Sequence, residues 1–131
     1  MKAKIKKILE FYYMAEQEFK VKDLAAAIKS VEPEKIDIWS ELDLMEVVLD
    51  DDSLIFQNAG ECFVDPLDLQ FFEEHQIIKK YQISFAESDT IKAKKVLEEL
   101  MVEKGGIVCS DTDDFQPLSR PDRNQTVHWA F

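Results

Sequence analysis

The chain is 131 residues long, 46% hydrophobic and 33% charged, with a formal net charge of −11, which points to one domain spanning residues 1–131 with a real core rather than a disordered chain. No uncharged stretch approaches the roughly 20 apolar residues of a membrane span, and the charged start MKAKIKKILEFYYMAEQEF lacks the apolar centre of a secretory signal, so a cytoplasmic protein with no membrane partner is expected. Affinity for phosphate backbones comes from clustered Lys and Arg, so the acidic balance also argues against a nucleic-acid partner.

Residues 2–19 place Ile5, Ile8, Leu9, Tyr12 and Phe19 at helical spacing and predict an amphipathic helix. Within it, Phe11, Tyr12, Tyr13 and Met14 sweep most of a helix circumference. Phe11, Tyr13 and Met14 are therefore expected in the core or at a self- or hetero-interface. Residues 21–31 read as a second, short helix, and Pro33 suits the first turn of a third, residues 34–42, with Ile36, Trp39 and Leu42 on one side. From Leu44 to Asn58 two β-type runs flank Asp50, Asp51, Asp52 and Ser53, which predicts a hairpin with a longer loop, because no Gly is there for a tight primed turn.

Residues 61–64 (ECFV) read as a further strand, and Asp65-Pro66-Leu67-Asp68 then opens a helix to about His75 through an Asp N-cap and Pro at the first helical position. A strand over 80–86, a helix over 89–104 closed by Gly105, and a strand over 106–111 make a β-α-β unit. Residues 116–125 read as a long loop, and Thr126 to Phe131 as a closing strand with Val127, Trp129 and Phe131 on one face. The fold class is α+β: a helical N-terminal part, residues 1–43, packed on a mostly antiparallel sheet in residues 44–131 that includes the β-α-β unit.

With only three glycines, the chain can write neither Gly-rich phosphate loop, and it has no G-x-S-x-G, H-E-x-x-H or C-x-x-C. Nucleotide binding by those loops, serine hydrolysis, zincin chemistry and dithiol redox lose their usual support, and no cofactor is expected. Cys62, His75, Cys109 and His128 are soft ligands in the number zinc needs, but no two are closely spaced, so they read as independent structural residues. The stretch CSDTDDFQP gathers Asp111, Asp113 and Asp114 at a strand end, where carboxylates can converge on a hard cation. An EF-hand-type loop fails, since the sixth position is Gln116 and the twelfth Asp122. Asp111 and Asp113 would share a face and are the metal candidates; a solvated strand-to-loop transition is the favoured alternative. Both arginines of the chain, Arg120 and Arg123, follow closely. They either pair with the aspartates and pin the loop, the favoured reading, or hold an anionic ligand beside them.

Between Lys35 and Lys79 there is no Lys or Arg but twelve acids, more than the whole net charge. The leading expectation is a non-catalytic binding protein, of inhibitor, immunity-like or adaptor type, whose acidic surface over residues 37–74, Asp50, Asp51 and Asp52 included, meets a basic protein partner. Self-association through Phe11, Tyr13 and Met14 is the other partner reading. The alternative function is a divalent-metal-dependent enzyme or anion-binding domain built on Asp111, Asp113, Asp114, Arg120 and Arg123. The plainest alternative is that the acids only keep the protein soluble.

Overall fold

The computed structural model describes residues 7–131. Its centre is an antiparallel sheet of eight strands in the order β2–β3–β4–β5–β1–β6–β7–β8: β1 Ile8–Ala15, β2 Ile36–Trp39, β3 Leu44–Val48, β4 Ser53–Asn58, β5 Lys79–Ala86, β6 Ile107–Ser110, β7 Leu118–Pro121 and β8 Val127–His128. Three helices accompany it: α1 Val21–Ala27, α2 Pro66–Glu74 and α3 Thr90–Lys104. The mixed α+β class stands. No helix among the described residues is long and apolar enough to cross a membrane.

The N-terminal part is helical only in α1, Val21–Ala27, which falls within the expected second helix; in place of the other two expected helices the described residues form the strands β1 and β2. Residues 2–6 of the expected first helix lie outside the described residues, and from Ile8 to Ala15 the chain is the strand β1, paired with β5 on one side and β6 on the other. β1 lies between two other strands and carries apolar side chains on both faces at every position but Glu10, so no polar face marks its period of two. Its apolar run then mimics a helix that is buried all round. Tyr13 and Met14 are fully buried and point to opposite faces, so the FYYM stretch packs inside the chain. Residues 34–42 are likewise corrected: a 3₁₀ turn, Pro33–Lys35, leads into the edge strand β2, and a second, Ser40–Leu42, follows it. In IDIW the alternation of Ile36 and Ile38 with Asp37 and Trp39 has the period of a strand.

The hairpin β3–β4, the helix α2 with Asp65 accepting from the Leu67 amide at 2.8 Å, and the pair β5 and α3 fall where the sequence places them. Residues 61–64 are not a strand, and β7 interrupts the expected loop over 116–125. β5 and β6, joined by α3, do not pair with each other; β1 lies between them, antiparallel to both. Of the closing segment only Val127–His128 is strand, although Trp129 and Phe131 still pack on the main core.

The sheet buries its two faces unequally. On one face α1 and α3 pack through Leu24, Ala27, Ala93, Val96, Leu97 and Leu100 onto Tyr13, Met45, Leu54, Phe56, Tyr81 and Ile83, which form the main core. The other face carries a smaller cluster of Met14, Phe72, Cys109 and Phe115, with Tyr12, Phe63, Phe71 and Leu118 packed against it. Thus α2 and the loops beside it cover β6, β7 and the Tyr12–Met14 end of β1, with the Phe72 ring of α2 also reaching Lys80 of β5.

Candidate functional site

The half of that second face left uncovered is the most distinctive surface of the protein. Antiparallel partners sit side by side on the same face of a sheet, so strand register fixes the layout. Trp39 lies beside Leu44, Leu44 beside Gln57, and Gln57 beside Gln82. In the adjacent row Asp37, Glu46, Ile55, Ser84 and Glu10 follow one another across β2, β3, β4, β5 and β1. Trp39 is 44% exposed, Asp37, Gln57 and Glu10 are exposed, and Leu44, Glu46, Ile55, Gln82 and Ser84 are half-buried. None of these residues belongs to either buried cluster among the described residues.

The central feature is the cross-strand pair Asp37–Glu46. Like charges directly opposite on neighbouring strands repel, and sheets normally place opposite charges or apolar pairs there. Glu46 accepts a hydrogen bond from the Ser53 hydroxyl at 2.6 Å, but among the described residues neither carboxylate forms an ion pair. Asp37 on the edge strand β2 and Glu46 on β3 thus place two acids without an ion pair beside an exposed Trp, and among the described residues no strand pairs with the outer side of β2. Leu42, 65% exposed, extends the apolar part just past the end of β2.

The acids at the hairpin tip do a different job. The buried carboxylate of Asp89 accepts from the backbone amides of Asp51 (3.1 and 3.2 Å) and Asp52 (2.9 Å), while Asp50 pairs with Lys92 at 2.7 Å. Asp50, Asp51 and Asp52 therefore anchor the hairpin to the start of α3.

The 111–123 region is spread out. Asp111 lies against Tyr12; burial, then the charge and hydrogen bond of Asp111, push that phenol up to about 12. Asp113 lies toward the start of α2, where burial and the charges of Asp65 and Asp113 raise the Asp68 carboxyl. Asp114 accepts from the Gln116 amide at 3.1 Å and the Thr112 hydroxyl at 3.3 Å, a turn that bonds its own backbone. Arg120 lies apart, on β7, lining a cleft of about 210 Å³ with Glu16 and His75, and Arg123 is exposed. Among the described residues no ion pair joins either arginine to Asp111, Asp113 or Asp114. The loop is instead fixed by Asp122, which pairs with His128 at 2.8 Å and accepts from the amides of Asn124 and Thr126; the His128 contact foremost lowers its carboxyl. No three of His, Cys, Asp and Glu among the described residues converge where a metal could sit.

Sequence reasoning missed the Asp37–Glu46 pair, because a helical reading of residues 34–42 puts those side chains on unrelated elements. It also missed Asp43. This residue, in left-handed conformation at φ 48°, accepts from the Val21 amide (2.9 Å), the Tyr81 hydroxyl (2.9 and 3.0 Å) and Asn58 (2.8 Å), and pairs with Lys79 at 2.5 Å. Burial alone would raise its carboxyl, but these donors, Lys79 foremost, hold it below the usual value. Asp43 thus fixes the turn between β2 and β3 and with it the position of Trp39. A scan against protein-family models and searches of curated proteins and of solved structures find no match to this chain.

Proposed function

We propose that this is a non-catalytic binding protein whose open sheet face over β2, β3 and β4 receives a basic protein partner. The observation that carries the proposal is the Asp37–Glu46 pair: a like-charged cross-strand pair without a cation costs stability, and a partner's Lys or Arg would relieve that cost on binding. Trp39, Leu44 and Ile55 supply the apolar contact around it, in the mixture of aromatic anchor and polar rim that interfaces favour. The span from Lys35 to Lys79 without a basic residue supports the same reading, since it keeps the approach free of like-charge repulsion for a cationic surface.

The test uses defined basic peptides, Lys- and Arg-rich with interspersed Leu, labelled and titrated by fluorescence anisotropy. Binding is expected to weaken on the order of tenfold between about 50 and 300 mM salt. It is expected to be lost in Asp37→Lys, Glu46→Lys protein and strongly reduced in Trp39→Ala. Reversal of Glu73 and Glu74, exposed acids of α2, is the control for bulk charge. Affinity indifferent to salt, or equal loss in the control, would reject the sheet face as the binding site.

A further inference from the structure

On the opposite side of the sheet, between α3, residues 30–35 and the end of the β3–β4 hairpin, lies a groove of about 660 Å³. Its floor is apolar: Val31 and Leu49 are half-buried against the main core, and Ile91, 87% exposed, forms a lip. Its walls carry Lys35, Lys92, Lys94 and Lys95, four of the sixteen basic residues of the chain. Ile91, Lys95 and Glu98 share one face of α3 because residues four and seven apart in a helix lie above one another.

Two of these lysines are already engaged. Lys92 pairs with Asp50, and Lys94 donates to the Phe131 carbonyl while lying over the Trp129 and Phe131 rings. Lys35 and Lys95 are exposed and form no ion pair among the described residues. With Glu32, Asp50 and Glu98 also at the groove, the lining is four cations against three carboxylates, a positive spot on a chain of net charge −11.

We infer that this groove binds a small amphipathic anion, its apolar body on Val31, Leu49 and Ile91 and its carboxylate or phosphate head held by Lys35 and Lys95. The volume falls within the range of small-molecule sites, roughly 300–1,000 Å³. A free inorganic anion would leave the apolar floor wet, and an uncharged ligand would leave the lysines unused. A head group that gains two cations away from the acidic sheet face gains most from being anionic.

Decanoate and decyl phosphate are the ligands to titrate, with decanol and acetate as controls lacking the charge or the apolar body, by calorimetry and by amide chemical shifts of labelled protein. Saturable one-to-one binding of either amphiphile is expected, with shifts at residues 30–35, 48–50 and 91–98. Decanoate binding identifies a carboxylate head, and decyl phosphate binding alone a phosphate head. Lys35→Glu, Lys95→Glu protein is expected to bind about tenfold more weakly; should it fold poorly, Lys95→Gln is expected to weaken binding a few-fold. The inference is overturned if neither amphiphile saturates, if decanol binds equally well, if the shifts lie elsewhere, or if an acidic peptide binds the groove where both amphiphiles fail.

Discussion

Replacing Asp43 tests how far one half-buried carboxylate organises the β2–β3 edge of the sheet. Its side chain is 14% exposed and that of Lys79 10%, so Asp43→Ala leaves an ammonium nearly without water or counter-charge and strands the Tyr81 hydroxyl and the Val21 amide. Removing one partner of a buried pair costs roughly 3–5 kcal/mol; with some water reaching the site, about 3 kcal/mol is expected, or about 10 °C in Tm for a domain of this size. Asp43→Asn keeps an acceptor for the Val21 amide and tolerates φ 48°, so it is expected to lose less, about 2 kcal/mol. The pH dependence has a definite sign. Because the folded carboxyl is depressed, its contribution is fully present above the unfolded value near ~3.9 and is lost as pH falls through the lower folded value. Urea melts followed by circular dichroism at neutral pH and through the acid range measure both effects. A loss below about 1 kcal/mol in Asp43→Ala, or an acid limb equally steep in Asp43→Asn, would refute the reasoning.

Gly106 has φ +104°, and an added Cβ would stand 2.7 Å from the Met14 carbonyl oxygen and 2.8 Å from a Tyr13 ring carbon. Since those atoms belong to the central strand β1, Gly106→Ala is expected to cost about 3 kcal/mol or more in denaturant melts. Gly105→Ala, also at positive φ but with nothing within 4 Å, should cost about 1–2 kcal/mol, the conformational part alone. For the thiols, Cys62 is exposed, while Cys109 is buried and desolvation pushes it up to about 12. A disulfide-exchange reagent near pH 8 should therefore modify one thiol in the native protein and two after unfolding; two fast native reactions would contradict the burial.

Elements whose signals are local were legible in the sequence. Asp65-Pro66 starts α2 through its own cap, Gly105 ends α3, and the Asp-rich turn joins β3 to β4 wherever the rest of the chain goes. The strands β1 and β2 were not, because their character is decided by neighbours distant in sequence. β1 is apolar at every position but Glu10, with its Tyr13–Ala15 end buried on both faces, and only pairing with residues near 80 and 110 makes it a strand. β2 has four residues between two 3₁₀ turns, and its alternation is too short to outweigh the helix start suggested by Pro33. The candidate site followed the same division. The acidic span was visible as composition, whereas which acids face each other depends on β2–β3 register. The arginines near Asp111 in sequence were expected to pair with the aspartates; β7 instead carries Arg120 to the cleft beside His75.

The two proposed sites lie on opposite faces of one sheet and carry opposite local charge, which allows them to be separated by experiment. Asp37 and Glu46 belong to the open face, and Lys35 and Lys95 to the groove beside α3. Among the described residues no ion pair joins Asp37 or Glu46 to Lys35 or Lys95, so their substitutions should act independently, to within about 0.5 kcal/mol. Asp37→Lys, Glu46→Lys protein is expected to lose the basic peptide and keep the amphiphile. Lys35→Glu, Lys95→Glu protein is expected to do the reverse. Lys35 and Asp37 nevertheless sit two residues apart at the entry to β2, and a ligand that orders residues 30–35 could also steady the edge strand. Titrating the peptide with decanoate present measures that coupling: an affinity change beyond about threefold would mean that the groove acts on the sheet face through β2, whereas a smaller one would leave two separate sites on one scaffold.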